Sequence, residues 1–275
     1  MKTSNQVAAS NQAAVCGLFL GCLIGMASPI EAQELPLNGL MARWDFEEGN
    51  GPTAHDTSGN GNHGTLDNYT DDSQWVAGRF GGGLAFNGQT SNRLIVPDSP
   101  TISADLANAF SVSVWFRSNI QLPAGGSGVA ILEKGDSFFL LQGVASGGMN
   151  FLMKKGGANF IVPLGETLEA NTWYHVTGVF DGAQASLYLN GELKGTLAVA
   201  APIDTTDLPL VIGGDDASRT FNGVIDQVAI WNRALTEEEV LQVAGRVGAP
   251  RIELQPQPVS VFAGGTATFT VNAVG

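Results

Sequence analysis

Cysteine is almost missing from this chain. Of 275 residues only Cys16 and Cys22 carry thiols, and both fall within the first 32 positions. The remainder has no disulfide framework, no thiolate nucleophile and no Cys-ligated zinc. Basic residues are equally scarce: 13 Lys and Arg face 26 Asp and Glu, a net charge of −13. Nucleic-acid binding needs clustered cations against phosphate, so that balance excludes a nucleic-acid partner. Charged residues of both signs make up only 14% of the chain while 44% is apolar, which excludes general disorder. No apolar run reaches the roughly 20 residues needed to span a bilayer; the longest, Ala13 to Ala27, is flanked by Lys2 and by Ile30-Glu31-Ala32. This is the layout of a secretory signal peptide over residues 1–32. The competing readings are a membrane anchor, which the run is too short to make, and lipidation at Cys22, where Phe19-Leu20-Gly21 is a poor match. The expected location is therefore secreted or cell-surface, with no membrane span after cleavage.

What is abundant is glycine, 36 residues, or nearly twice the usual share of about 7%. It punctuates short alternating segments. Phe110, Val112, Val114 and Phe116 share one face of a strand, with Ser111, Ser113, Trp115 and Arg117 on the other. Similar runs cover Leu40–Phe46, Arg93–Val96, Phe138–Leu141, Met149–Met153, Trp173–Phe180, Ala185–Leu189, Leu208–Ile212 and Val224–Trp231. Asp181-Gly182 and Asn190-Gly191 are hairpin dipeptides, because a type I′ turn needs positive φ at both central residues. Residues 173–198 therefore read as a three-stranded meander. The pattern predicts an all-β fold: a two-sheet antiparallel jelly-roll sandwich of about a dozen strands. One short helix is expected near 236–244, opened by the capping box Thr236-Glu237-Glu238-Glu239 and ended by Gly245.

The segment Asp56-Thr57-Ser58-Gly59-Asn60-Gly61-Asn62-His63-Gly64 sets oxygen-bearing side chains at alternate positions. Calcium takes six to eight oxygens in a flexible shell, and one such loop can supply several. An EF-hand is a second reading, with Asp56, Ser58, Asn60 and Gly61 in register and Asp67 at the twelfth position. The strand-like flanks and the missing bidentate glutamate oppose it. A polar turn that binds nothing is the third.

Together with Trp44-Asp45-Phe46-Glu47-Glu48-Gly49, this segment resembles the opening of a laminin-G-like, concanavalin A-like jelly-roll domain. The resemblance continues through Gly82–Gly88, Phe110–Phe116, Trp173–Gly182, Leu187–Gly191 and Phe221–Leu235, spanning about residues 38–247. It implies two curved antiparallel sheets and one structural calcium. The implied ligands are Asp56, Asn60, Asn62, the His63 carbonyl and, from the far end of the chain, Asp226. The domain is assigned to 33–248. The following segment, 249–275, resembles the first strands of a bacterial immunoglobulin-like domain, which needs about 100 residues to complete.

No catalytic residue is assigned. Concanavalin A-like β-glucanases carry a Glu-x-Asp-x-x-Glu run on one strand, and none is present; Asp45 and Glu47 are the nearest carboxylate cluster. His175 reads as a sheet histidine, and no nucleophile elbow or phosphate loop occurs. Trp75, Trp115, Trp173, Tyr188 and Trp231 are candidates for stacking on sugar, though most fit a sandwich core better. Lys154-Lys155 reads as a hairpin tip. The function expected is a non-enzymatic recognition or adhesion module for extracellular glycan or protein. A carbohydrate-active enzyme or its accessory domain, and a surface-protein spacer, are the alternatives.

Overall fold

The computed structural model describes residues 35–89, 92–103, 106–122, 129–135, 137–143, 148–215, 219–245, 251–254 and 272–274. The expected signal segment, with Cys16 and Cys22, lies outside them, as does most of the segment assigned to an immunoglobulin-like start.

The first strands are β1 (Leu40–Trp44), β2 (Thr53–Ala54), β3 (Gly64–Asp67), β4 (Trp75–Ala77), β5 (Gly82–Asn87) and β6 (Arg93–Val96). A single helical turn, α1 (Pro100–Ser103), precedes β7 (Phe110–Ser118), β8 (Val129–Lys134), β9 (Phe138–Gly143), β10 (Gly148–Lys155) and β11 (Ala158–Pro163). Then come β12 (Trp173–Phe180), β13 (Gln184–Leu189), β14 (Glu192–Ala198), β15 (Leu210–Ile212), β16 (Asn222–Trp231) and α2 (Glu237–Val243). Two short strands, β17 (Arg251–Leu254) and β18 (Asn272–Val274), pair with each other.

Two eight-stranded sheets form the sandwich. One runs β14-β13-β12-β7-β16-β5-β4 with β1 also on β16; the other runs β11-β10-β9-β8-β15-β6-β3-β2. Every strand pairing is antiparallel, as the hairpin dipeptides require. The expected meander is β12-β13-β14, and Asn190 and Gly191 sit at its second turn with φ of 50° and 81°.

Between the sheets the expected Phe110, Val112, Val114 and Phe116 face of β7 does the packing. The Phe110 ring lies 4.6 Å from Phe138 and 5.7 Å from Phe151, centroid to centroid, joining the two sheets. Gly178 is required here, since a Cβ would stand 2.8 Å from the Phe151 ring. The other face of β7 is also covered, unlike a half-exposed strand: Ser111 and Ser113 are buried. The Ser111 hydroxyl donates to the Arg233 carbonyl and accepts from the Leu235 amide, which anchors the approach to α2.

That helix begins as expected. Thr236 accepts from the Glu239 amide while the Glu239 carboxylate accepts from the Thr236 amide. The Arg233 guanidinium donates to both Glu239 oxygens at 2.7 and 2.6 Å and holds that carboxyl down at about 2. Val240 and Val243 bury against Trp231, Tyr188 and Leu235 in a second, smaller core. Trp231 donates to the Pro36 carbonyl and Arg233 to that of Asn38, so the start of the domain is tied to its last strand.

Candidate functional site

The loop from Asp56 to Gly64 lies between β2 and β3, against β1. Its oxygen-bearing side chains converge, and they converge on backbone. Asp56 accepts from the amides of Arg43 (3.0 Å), Ser58 (2.8 Å) and Asn62 (2.9 Å), so both its oxygens are engaged. Asn60 Nδ2 donates to the carbonyls of Leu40 and Met41, and Asn62 Nδ2 donates to Met41 as well. Those carbonyl partners fix which way each amide points. Asn62 Oδ1 accepts from the hydroxyls of Ser99 and Thr101 at 2.7 and 2.8 Å, and the Asn62 carbonyl accepts from Trp44. His63 Nδ1 accepts from the Asp56 amide. Burial would raise the Asp56 carboxyl; the Ser58 side chain and the three amides outweigh it and hold it below the usual range. Both Asp56 oxygens and the side-chain amide hydrogens of Asn60 and Asn62 are thus engaged in closing the loop onto β1.

Asp226, the fifth implied ligand, belongs to a different network. It lies on β16 opposite Trp115, where a bulge interrupts the register, and its side chain is 0% exposed. Oδ2 accepts from the amides of Arg79 (2.8 Å) and Phe80 (2.9 Å) in the β4–β5 turn. Oδ1 is buried with no partner. Burial pushes this carboxyl up to about 7 against the pull of those amides and of the Gln227 backbone, and nearby Glu47 adds to the rise. The turn itself is built for close approach. A Cβ on Gly78 would stand 2.7 Å from Asp226 Oδ2, one on Gly81 2.2 Å from Glu47 Oε1, and one on Gly82 2.2 Å from the Phe46 carbonyl. Phe46 and Gln227, flanking Glu47 and Asp226, hold positive φ of 59° and 45°, a conformation that non-glycine residues rarely adopt. No donor or acceptor is common to the Asp56 and Asp226 networks.

The catalytic candidates are all committed elsewhere. Asp45 accepts from the Arg43 guanidinium at 2.6 Å and the Thr57 hydroxyl at 2.8 Å; Glu47 accepts from the Gly82 amide. His175 is 1% exposed, and burial pulls its imidazole down to about 3, so it stays neutral at ordinary pH. Across the strands it stands beside Trp115, which stands beside Asp226, and each carries one unpartnered buried atom. Of the stacking candidates, Trp231, Trp115 and Tyr188 are buried, while Trp75 and Trp173 are half-buried. Lys154 and Lys155 precede the Gly156-Gly157 hairpin tip, where φ is 59° and 76°.

One concave feature was invisible in the sequence. A groove of about 450 Å³ opens where β5, β16, the β3–β4 loop and the end of β7 meet. Six carboxamides line it: Asn68, Gln74, Asn87, Asn92, Asn119 and Asn222. Asn119 donates to Asn222 Oδ1 at 2.9 Å, bridging positions 103 apart in sequence. Tyr69 stands at its edge, its hydroxyl donating to the Ala85 carbonyl at 3.0 Å. Such amides have the ordinary alternating or loop positions of a β protein, so only the polar stretch from Asn68 to Gln74 offered any signal.

The sequence profile of the concanavalin A-like lectin/glucanases superfamily matches residues 87–241, more than half the chain. Pappalysin-1 of Mus musculus is 28% identical over 74 residues, which is 25% of this chain and 5% of that protein. Among the solved structures that share the fold are a binding domain and one domain of an enzyme, by their own descriptions. The binding domain of Paraclostridial Mosquitocidal Protein 1 superposes with a TM-score of 0.63 at 18% identity, covering 79% of this chain and 54% of that one. Domain 4 of AbnA, a GH43 extracellular arabinanase from Geobacillus stearothermophilus in complex with arabinotriose, gives 0.60 at 20% identity, covering 74% and 98%. The chain thus spans about half of the toxin domain and a small part of pappalysin-1.

Proposed function

The chain belongs to the concanavalin A-like lectin/glucanases superfamily, and from that premise we propose that it is an exported, non-enzymatic recognition module for extracellular glycan or protein. The observation that carries this reading is the amide-lined groove, a concave site of hydrogen-bonding groups in the size range of ligand pockets, roughly 300–1,000 Å³. A hydrolase would need a carboxylic acid of raised pKa facing a second carboxylate across the substrate. The raised carboxyl here, Asp226, is fully buried and away from the groove lining. Asp71, which does line the groove, is held below the usual carboxylate range by the side chain and amide of Ser73. Likeness to domain 4 of an arabinanase supports a second reading, an accessory domain of a carbohydrate-active enzyme. A glycan array run with the full chain, alongside a polysaccharide-hydrolysis assay, tests both. Array binding without sugar release is expected; hydrolysis would return the enzyme reading, and silence in both would leave a spacer.

Calcium enters as part of the same proposal, at a different place from the loop. Asp226 with Glu47 and the carbonyl oxygens around Gly78–Gly82 would hold it, because Asp226 Oδ1 is a buried acceptor still lacking a partner. Calcium at a hundredfold excess over its dissociation constant would stabilise the fold by roughly 2.7 kcal/mol. The expected result is a melting temperature that falls with chelator in the parent and in Ser58→Ala, and is indifferent to chelator in Asp226→Asn. A chelator effect that survives Asp226→Asn would move the ion elsewhere.

A further inference from the structure

A second, smaller hollow of about 260 Å³ adjoins the groove, lined by Gly51, Pro52 and Asp72 together with Tyr69, Thr70, Asp71 and Gln74. The last four also line the larger groove, so the two spaces are halves of one cleft divided by the 69–71 segment. The divider is held rigidly. Tyr69 donates to the Ala85 carbonyl, Asp72 accepts from the Gly51 amide at 2.7 Å, and Asp71 accepts from the Ser73 amide at 2.9 Å. Beneath it lies Gln74, 4% exposed, whose carbonyl Oε1 has no hydrogen-bond partner. Its backbone is fixed by the Ala85 amide donating to its main-chain oxygen at 2.8 Å. A buried acceptor left unmatched costs roughly 1–3 kcal/mol, so its persistence in a two-sided cleft needs an explanation.

The chemistry of the lining selects the occupant. An amide offers two donors and an acceptor, and the Asn119–Asn222 and Asn92–Asn68 contacts use only part of that capacity. Dense, alternating donors and acceptors match a polyhydroxylated molecule better than an apolar one. Neither half of the cleft contains Lys or Arg, whereas Asp71 faces both halves and Asp72 one. A ligand carrying carboxylate, sulfate or phosphate would meet uncompensated like charge. Two halves flanking an aromatic divider suit at least two linked ring units better than one.

We propose that this cleft is a saccharide site for a neutral oligosaccharide of two or more units, with Gln74 Oε1 accepting a ligand hydroxyl and Asp71 and Asp72 excluding acidic sugars. The inference rests on the recognition reading above and gives it a place and a charge preference. It is tested with the full chain on an array of neutral and acidic oligosaccharides, followed by titration calorimetry with arabinotriose, cellotriose and sialyllactose as probes. Neutral glycans should bind, and sialylated or uronic-acid glycans at least tenfold more weakly. Thr70→Trp, at an exposed position that fills the cleft, should reduce affinity at least tenfold with an unchanged melting temperature. Gln74→Glu should also reduce affinity at least tenfold, with a lower melting temperature because it buries a carboxylate, and Asn119→Ala provides the measurement if Gln74→Glu does not fold. Glycan binding that survives Thr70→Trp and Asn119→Ala would place the ligand elsewhere while leaving the recognition reading intact. A preference for acidic glycans would overturn the charge assignment, and no glycan binding at all would remove both.

Discussion

The Asp56 loop and the Asp226 turn each bury a carboxylate that accepts backbone N–H donors, yet one is complete and the other is not. Asp56 takes three amides on two oxygens and its neighbours Asn60 and Asn62 direct their amide hydrogens at carbonyls of β1. Asp226 takes two amides on one oxygen and leaves the other empty inside the protein. The difference teaches that spacing of polar residues reports convergence, whereas capacity for a ligand is decided by what already occupies each lone pair. The loop with the richer polar pattern is the one whose carboxylate has both oxygens engaged.

Three changes would break or sharpen this contrast. The largest effect is expected from Asp56→Ala, which orphans one buried and two part-buried amides and should cost roughly 3–4 kcal/mol in chemical denaturation. A loss below about 1 kcal/mol would show that the loop's closure does not depend on its carboxylate. Next is the pH dependence of Asp226. Its folded-state value of about 7 lies above the unfolded one, so its contribution is full below about pH 4 and disappears as pH rises through 7. With chelator present, the stability of the parent relative to Asp226→Asn should fall by roughly 2–3 kcal/mol between pH 5 and pH 8. His175 acts in the opposite sense, with a folded value near 3 against an ordinary 6.5, so stability is lost as pH falls through that window. Because His175 is common to both proteins, its effect cancels in the difference; a flat difference would refute the buried-charge account of Asp226. The smallest effect belongs to Ser58→Ala, which removes a part-buried hydroxyl that donates to the Met41 carbonyl and accepts from the amide and side chain of Asn60, and should cost about 1 kcal/mol. A much larger loss there would mean that the loop is a single cooperative unit.

Much of the architecture was legible because it is local. Trp173–Phe180 and Arg93–Val96 have the strand limits that alternation predicts, and Thr236 caps its helix through the expected reciprocal bonds. Strands β2, β3 and β4 were not anticipated, being two to four residues long and stabilised by their partners rather than by their own pattern. Strand β8 reads as an apolar run without alternation because it is covered on both faces, and β11 is an edge strand with four of six residues exposed. The candidate site divides in the same way. Asp56, Asn60 and Asn62 form one cluster, as their spacing suggested, but their bonding to the carbonyls of β1 could not be read from residue types.

The sequence by itself determined the all-β class, the capped helix and a disulfide-free domain, since alternation, turn dipeptides and residue counts act over a few neighbours. Only the tertiary structure decided that Asp226 serves the Arg79–Phe80 turn, that its second oxygen stays unpaired, and that Asn119 meets Asn222 at the rim of a cleft with Tyr69 and Gln74. Those facts depend on register between strands far apart in the chain, and a one-residue change of register turns every side chain to the opposite face.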